Sequence, residues 1–173
     1  MKLSATKFTL IALILFIPVF ELLAASSTTV RVGFEILPFQ QLSISGGRSA
    51  GNTAVSTVRL PQPSAADLTR GYIELPNAVN LAVRSNIPWA VTVRTDDANM
   101  GQSFDGSYTK PVSDFQLRVG NGAYTPISQR NQVLLQGSYG QHNFNVDYRT
   151  LFDPSTYRQG NYQVTVIYTI VSR

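Results

Sequence analysis

Residues 46–55 read GGRSAGNTAV, and within them Gly47-Arg48-Ser49-Ala50-Gly51 fits the G-x-S-x-G pattern of a nucleophile elbow. The chain has one histidine, His142, with aspartates between it and Ser49, so the order Ser…Asp…His is available. That chemistry would be acyl transfer. It needs a strand before the serine and a helix after it, so that Oγ is held up at a sharp turn. Leu42–Ser45 can supply the strand. The next stretch, NTAVSTVRLPQP, cannot supply the helix: Thr53, Val55, Thr57 and Val58 are β-branched, and Pro61 and Pro63 follow. His142 lies at an apolar-face position of an alternating segment rather than in a loop. The expectation is therefore a glycine-serine loop at residues 46–52 and no catalytic residue.

Metal and acid–base chemistry find no better footing. One histidine and no cysteine exclude the usual zinc sets. DDANMG, residues 96–101, hints at a calcium loop. Counted from Asp97, however, position 12 is Tyr108, so the bidentate acid is missing. No spacing among the acids selects a pair for general acid–base work. No metal and no cofactor are expected.

Tyrosines make a more suggestive pattern. Gly106-Ser107-Tyr108-Thr109, Gly122-Ala123-Tyr124-Thr125 and Gly137-Ser138-Tyr139-Gly140 each place a tyrosine after small residues, and Ser155-Thr156-Tyr157-Arg158 is a looser relative. Tyr108, Tyr124, Tyr139 and Tyr157 thus fall in loops or at strand starts. A tyrosine offers a flat face and a polar tip, which suits it to interfaces and to stacking on sugars. Each is equally suited to packing over the end of a β-domain.

The elements that must position these residues are strands. Apolar residues alternate with polar ones in TVRVGFEI (Val30, Val32, Phe34, Ile36), VNLAVR, WAVTVRT and FQLRV. The same holds in HNFNVDYR (His142, Phe144, Val146, Tyr148) and YQVTVIYTI. Period two over five or more residues marks a strand with one buried and one wet face. Turn-forming clusters separate these runs, and Gly120-Asn121-Gly122 reads as a hairpin tip. Pro88 should begin a strand and not interrupt one. SAADLTRG, residues 64–71, can make a short helix capped by Ser64 and stopped by Gly71. The fold class expected is all-β: one antiparallel β-sandwich, immunoglobulin-like or jelly-roll-like, with Trp89 at the centre of its core.

The first residues stand apart. Lys2 and Lys7, the uncharged run Phe8–Phe20 and the small residues Ala24-Ala25-Ser26-Ser27 describe a secretory signal peptide, here residues 1–25, leaving a domain over 26–173. Removing Lys2, Lys7 and Glu21 from 14 basic and 10 acidic residues leaves 12 and 9, a net charge of +3. The charges are scattered, so no nucleic-acid footprint emerges. The membrane would be met only through the signal segment during export. With no cysteine, an exported domain must be held by its core alone.

A signal peptide, a strongly alternating first strand, the SNIPWAVTV strand and the closing GNYQVTVIYTI strand together resemble secreted surface and fibre subunits. Fimbrial subunits, spore-coat-U-like proteins and WxL-like domains share this style. The cysteine pair common in chaperone–usher pilins is absent, and the chain ends IVSR instead of carrying their usual aromatic near the last residue. The resemblance implies a non-enzymatic structural or adhesive protein, secreted, periplasmic or at the cell surface. Its partners would be copies of itself or other envelope proteins. Assembly would occur by strand addition through Val30, Val32, Phe34 and Ile36, although such a strand can equally pair within its own domain. The alternative is a carbohydrate- or ligand-binding module that uses the loop tyrosines.

Overall fold

The computed structural model describes residues 31–46, 48–49 and 56–173. The expected signal segment, Val30, Gly47 and residues 50–55 lie outside the described residues. The chain divides into two units, Met1–Glu35 and Ile36–Arg173. In the first, residues 31–35 take no regular secondary structure and are exposed.

The second unit is all-β, as expected, and its sheets are antiparallel. The larger sheet has five strands in the order β1-β4-β11-β8-β9: β1 is Gln40–Ser45, β4 Tyr72–Ser85, β8 Phe115–Val119, β9 Thr125–Pro126 and β11 Gly140–Leu151. A three-stranded sheet, β10-β5-β12, is built from β5 Trp89–Arg94, β10 Gln132–Gly137 and β12 Ile167–Ser172. Two small ribbons pair β2 (Arg48–Ser49) with β3 (Ser56–Thr57), and β6 (Asn99–Gln102) with β7 (Thr109–Pro111).

The alternation assigns the faces. Phe144 lies opposite Leu81 and His142 opposite Val83, while Val146 lies opposite Val79 and Val119. One apolar core takes Leu81 and Val83 from β4, Val91 and Val93 from β5, Leu117 from β8 and Val146 from β11. Trp89 stands among them fully buried, as expected of the residue at the centre of the core, and it begins β5 directly after Pro88. Its indole meets His142 at 5.5 Å and Phe144 at 6.0 Å between ring centres. His142 is thus an inward strand residue packed on the tryptophan.

The short helix also forms where capping predicts. α1 spans Ala65–Arg70; the Ser64 hydroxyl accepts from Asp67 N, the Asp67 carboxylate accepts from Ser64 N, and Gly71 closes the helix at φ 76°. These bonds satisfy groups that a helix end otherwise leaves unpaired. Gly120 and Gly122 turn the chain from β8 into β9, in keeping with the hairpin tip.

Two alternating runs do not form the strands they suggest. Residues 31–39 have no strand partner and no regular structure. Within YQVTVIYTI, only Ile167 onward pairs with β5, and β12 then continues to Ser172. Residues 161–166 meet β6 and a turn instead: Gln163 N donates to Met100 O of β6 at 2.8 Å, and Thr165 N to the Asp97 carboxylate at 2.5 Å. Alternation records which residues face inward; it does not supply a neighbour for every backbone group.

Candidate functional site: an exposed apolar segment and an open strand edge

Val32 is 84% exposed, Phe34 87% and Ile36 71%, and Leu37 and Phe39 are also largely exposed. Five large apolar side chains within eight residues therefore face solvent. Scattered surface apolar residues are ordinary, but a contiguous exposed run signals a contact with something else.

The root of this segment is held. At the end of the β1–β4 ladder Gln40 pairs with Ser85, and Asn86 N donates to Phe39 O at 3.2 Å. The Asn86 side chain then takes over. Its Oδ1 accepts from Phe39 N at 2.7 Å, and its Nδ2 donates to Leu37 O at 2.8 Å. Strand β4 must bend there to reach Pro88, and Ser85 Oγ secures the bend by bonding Ile87 N and Ile87 O. The asparagine amide so replaces the peptide group that the bend removes.

The chain end lies at the same pole. Gln40 Nε2 and Arg173 N both donate to Pro88 O, at 3.4 Å and 3.1 Å. Strand β12 pairs with β5 along one edge, from Ile167 opposite Arg94 to Ser172 opposite Trp89, without a register shift. Among the described residues no strand pairs with its other edge. Within β12, Tyr168 and Ile170 rest on the core while remaining partly exposed, and β1 lies beside β12. The free edge of β10 differs, because its register shifts between Val133 and Leu135. A bulge disfavours edge-to-edge pairing; β12 lacks that protection. Next to β12's inner face, the Tyr148 and Tyr168 hydroxyls meet at 2.9 Å. Burial pushes the Tyr148 phenol up to about 12 and raises that of Tyr168 well above its ordinary value.

The four loop tyrosines are not brought together. Tyr108 meets Tyr162 edge-on at 6.3 Å, and Tyr157 stands 6.4 Å from Tyr162 and 5.2 Å from Phe152, so these two join one aromatic cluster. Beside it, buried Lys110 donates to Asp114 at 3.0 Å and to Leu151 O at 2.5 Å. Tyr139 is 72% exposed.

Tyr124 sits on the outer face of the five-stranded sheet, where the register sets Arg149 opposite Glu74 and Gln116, and Asp147 opposite Arg118. The Arg149 guanidinium lies 3.9 Å from the Tyr124 ring centre and 5.0 Å from that of Tyr72; Arg118 lies 4.5 Å from Tyr124. The Tyr124 hydroxyl bonds Glu74, and burial together with that carboxylate raises its pKa. Arg118 Nε donates to Asp147 at 2.8 Å, and the other Asp147 oxygen accepts from Asn77 N at 2.7 Å. Two guanidiniums already occupy the stacking surface that a sugar would need.

Ser49 belongs to β2 and lies opposite Ser56 of β3, and the residues that follow it, 50–55, lie outside the described residues. In the Asp96–Asp97 turn, Asp96 pairs with Arg94 and Asp97 binds Thr95 and Thr165. Sequence reasoning found the apolar segment but missed Asn86; an asparagine two residues before a proline, at a strand end, was the available signal. Comparison of the sequence with protein-family models and with curated proteins returned no match.

Proposed function

We propose that this is a non-enzymatic, exported structural or adhesive β-sandwich protein that assembles with copies of itself by strand addition. The carrying observation is the run of exposed apolar residues Val32, Phe34 and Ile36 in a segment without a strand partner. An incoming segment 30–36 would donate and accept backbone hydrogen bonds along the free edge of β12, and its alternate side chains would cover Tyr168 and Ile170. Main-chain bonds then provide affinity and the apolar knobs provide register. Removal of residues 1–25 on export to the periplasm or cell surface would leave this segment at the new N-terminus.

The carbohydrate-binding reading has narrower support, from Tyr139, the one of the four loop tyrosines that is largely exposed.

The test is the size distribution of the mature chain across a concentration series. Polymers are expected from the wild type, and monomers from Phe34→Asp, because a carboxylate entering an apolar groove unpaired costs several kcal/mol. Polymers undiminished by Phe34→Asp would refute the role of the segment. Ester hydrolysis by the wild type that disappears in Ser49→Ala would refute the non-enzymatic reading.

A further inference from the structure

We infer that Asn86 is a specificity-determining residue: by holding Leu37 and Phe39 in line with β1, it prevents the apolar segment from folding back onto the free edge of its own β12 and so reserves that edge for a second copy. The inference rests on the strand-addition reading.

The premise is a competition. A free strand edge does not distinguish a donor in the same chain from one in another chain, and an intramolecular donor has the advantage of effective concentration. The root of the segment and the end of β12 meet at Pro88, which binds both Gln40 Nε2 and Arg173 N. Gln40, from which the segment departs, therefore shares Pro88 with the end of β12, and self-insertion is the competing outcome to be suppressed.

The place of the required turn follows from the pattern. For Val30, Val32, Phe34 and Ile36 all to lie along the edge, residues 30–36 must be extended. The reversal must then occur in residues 37–39, since β1 begins at Gln40. Those are the residues that Asn86 holds. Its amide continues the ladder by one rung on each side of Pro38, through Leu37 O and Phe39 N. Pro38 acts in the same direction, because a residue before proline is pushed toward extended backbone. Reversal at 37–39 would break both side-chain bonds and the Asn86 N bond to Phe39 O. Leu37 and Phe39 are themselves 67% and 52% exposed, so apolar burial does little to hold them and the hydrogen bonds carry the restraint.

The experiment uses the full mature chain with Asn86→Ala and, as an isosteric second variant, Asn86→Asp. The aspartate keeps an acceptor for Phe39 N but has no donor for Leu37 O. Polymer and monomer are separated by size, and the monomer is melted. Asn86→Ala should raise the monomer fraction about tenfold, the scale of two lost hydrogen bonds, and Asn86→Asp about threefold, the scale of one. Their monomers should be self-complemented, so adding Phe34→Asp to either should lower the monomer's melting temperature. If Asn86→Ala fails to fold, Asn86→Asp decides. Wild-type polymers that neither substitution diminishes would overturn the inference alone. So would variant monomers whose melting Phe34→Asp leaves unchanged. A wild-type chain that stays monomeric at every concentration overturns the assembly reading, and this one with it.

Discussion

Gly137 lies flat against Trp89. A Cβ added to Gly137 would come within 2.5 Å of the indole Cζ2 and 2.9 Å of Cε2. The two residues face each other in the β10–β5 register, so the smallest residue of one strand makes room for the largest of the next. The glycine that looked like part of a loop motif, GSYG, is a packing residue.

Gly137→Ala should therefore force the indole from its place and cost ~1–3 kcal/mol, as overpacking does. Trp89→Ala should cost ~3–5 kcal/mol through the cavity it leaves. Trp89→Phe should cost less than Trp89→Ala, because Trp89 Nε1 is buried with no acceptor among the described residues and phenylalanine removes that donor. Denaturant midpoints order the three variants. A Gly137→Ala midpoint equal to wild type would mean that β10 yields freely.

The Tyr148–Tyr168 pair predicts alkaline sensitivity. Both phenols have folded-state pKa values above the ordinary 10.0, Tyr148 about 12. Folding thus favours their neutral forms. That contribution is complete below pH 10 and is lost as pH rises through the folded values. Melting temperature against pH should fall from about pH 10 toward 12 and beyond. In Tyr148→Phe with Tyr168→Phe the fall should be shallower. An equal slope in the double variant would place the alkaline transition elsewhere.

The α1 cap predicts the opposite edge of the pH range. The Ser64 hydroxyl and backbone N–H, followed by Arg70, hold the Asp67 carboxyl down at about 2. A depressed folded pKa gives a contribution that is present above the unfolded value and is lost as pH falls from about 4 through 2. The protection of amides 65–70 from exchange, relative to their intrinsic rates, should fall over that interval. Asp67→Asn should remove the pH dependence, and Ser64→Ala should cost ~1 kcal/mol at neutral pH.

Asp147 is the point of greatest leverage on the outer face of the five-stranded sheet. It is nearly buried, and it binds both Arg118 and the amide of Asn77, a non-glycine residue at φ 51° in the β4 irregularity. Asp147→Ala would remove two hydrogen bonds to a buried carboxylate, from Arg118 and from Asn77 N, a cost of ~1.5–3 kcal/mol. Tyr124→Phe, which deletes a hydroxyl and keeps the ring under both guanidiniums, should cost less. Chemical denaturation that ranks these two the other way would show that the hydroxyl bond to Glu74, and not the Asp147 bridge, organises this face.

Local chemistry in the sequence was enough to assign strands, their faces and the helix ends. His142, Phe144, Val146 and Tyr148 point inward because period two leaves no other way to shelter them together. Ser64 and Gly71 bound a helix because their side-chain and backbone chemistry acts within a few residues. Val32, Phe34 and Ile36 were identifiable as an apolar face by the same alternation. Only the tertiary structure decided which strands find partners. Residues 31–39 and 161–166 carry the same alternation as β4 and β11, yet residues 31–39 have no strand partner and residues 161–166 bond β6 at Gln163 N without forming a strand, because pairing depends on where distant segments come to rest. The same distance hides Asn86 on Leu37 and Phe39, Gly137 under Trp89 and the two arginines on Tyr124: each contact joins residues that become neighbours only when the sheets have formed.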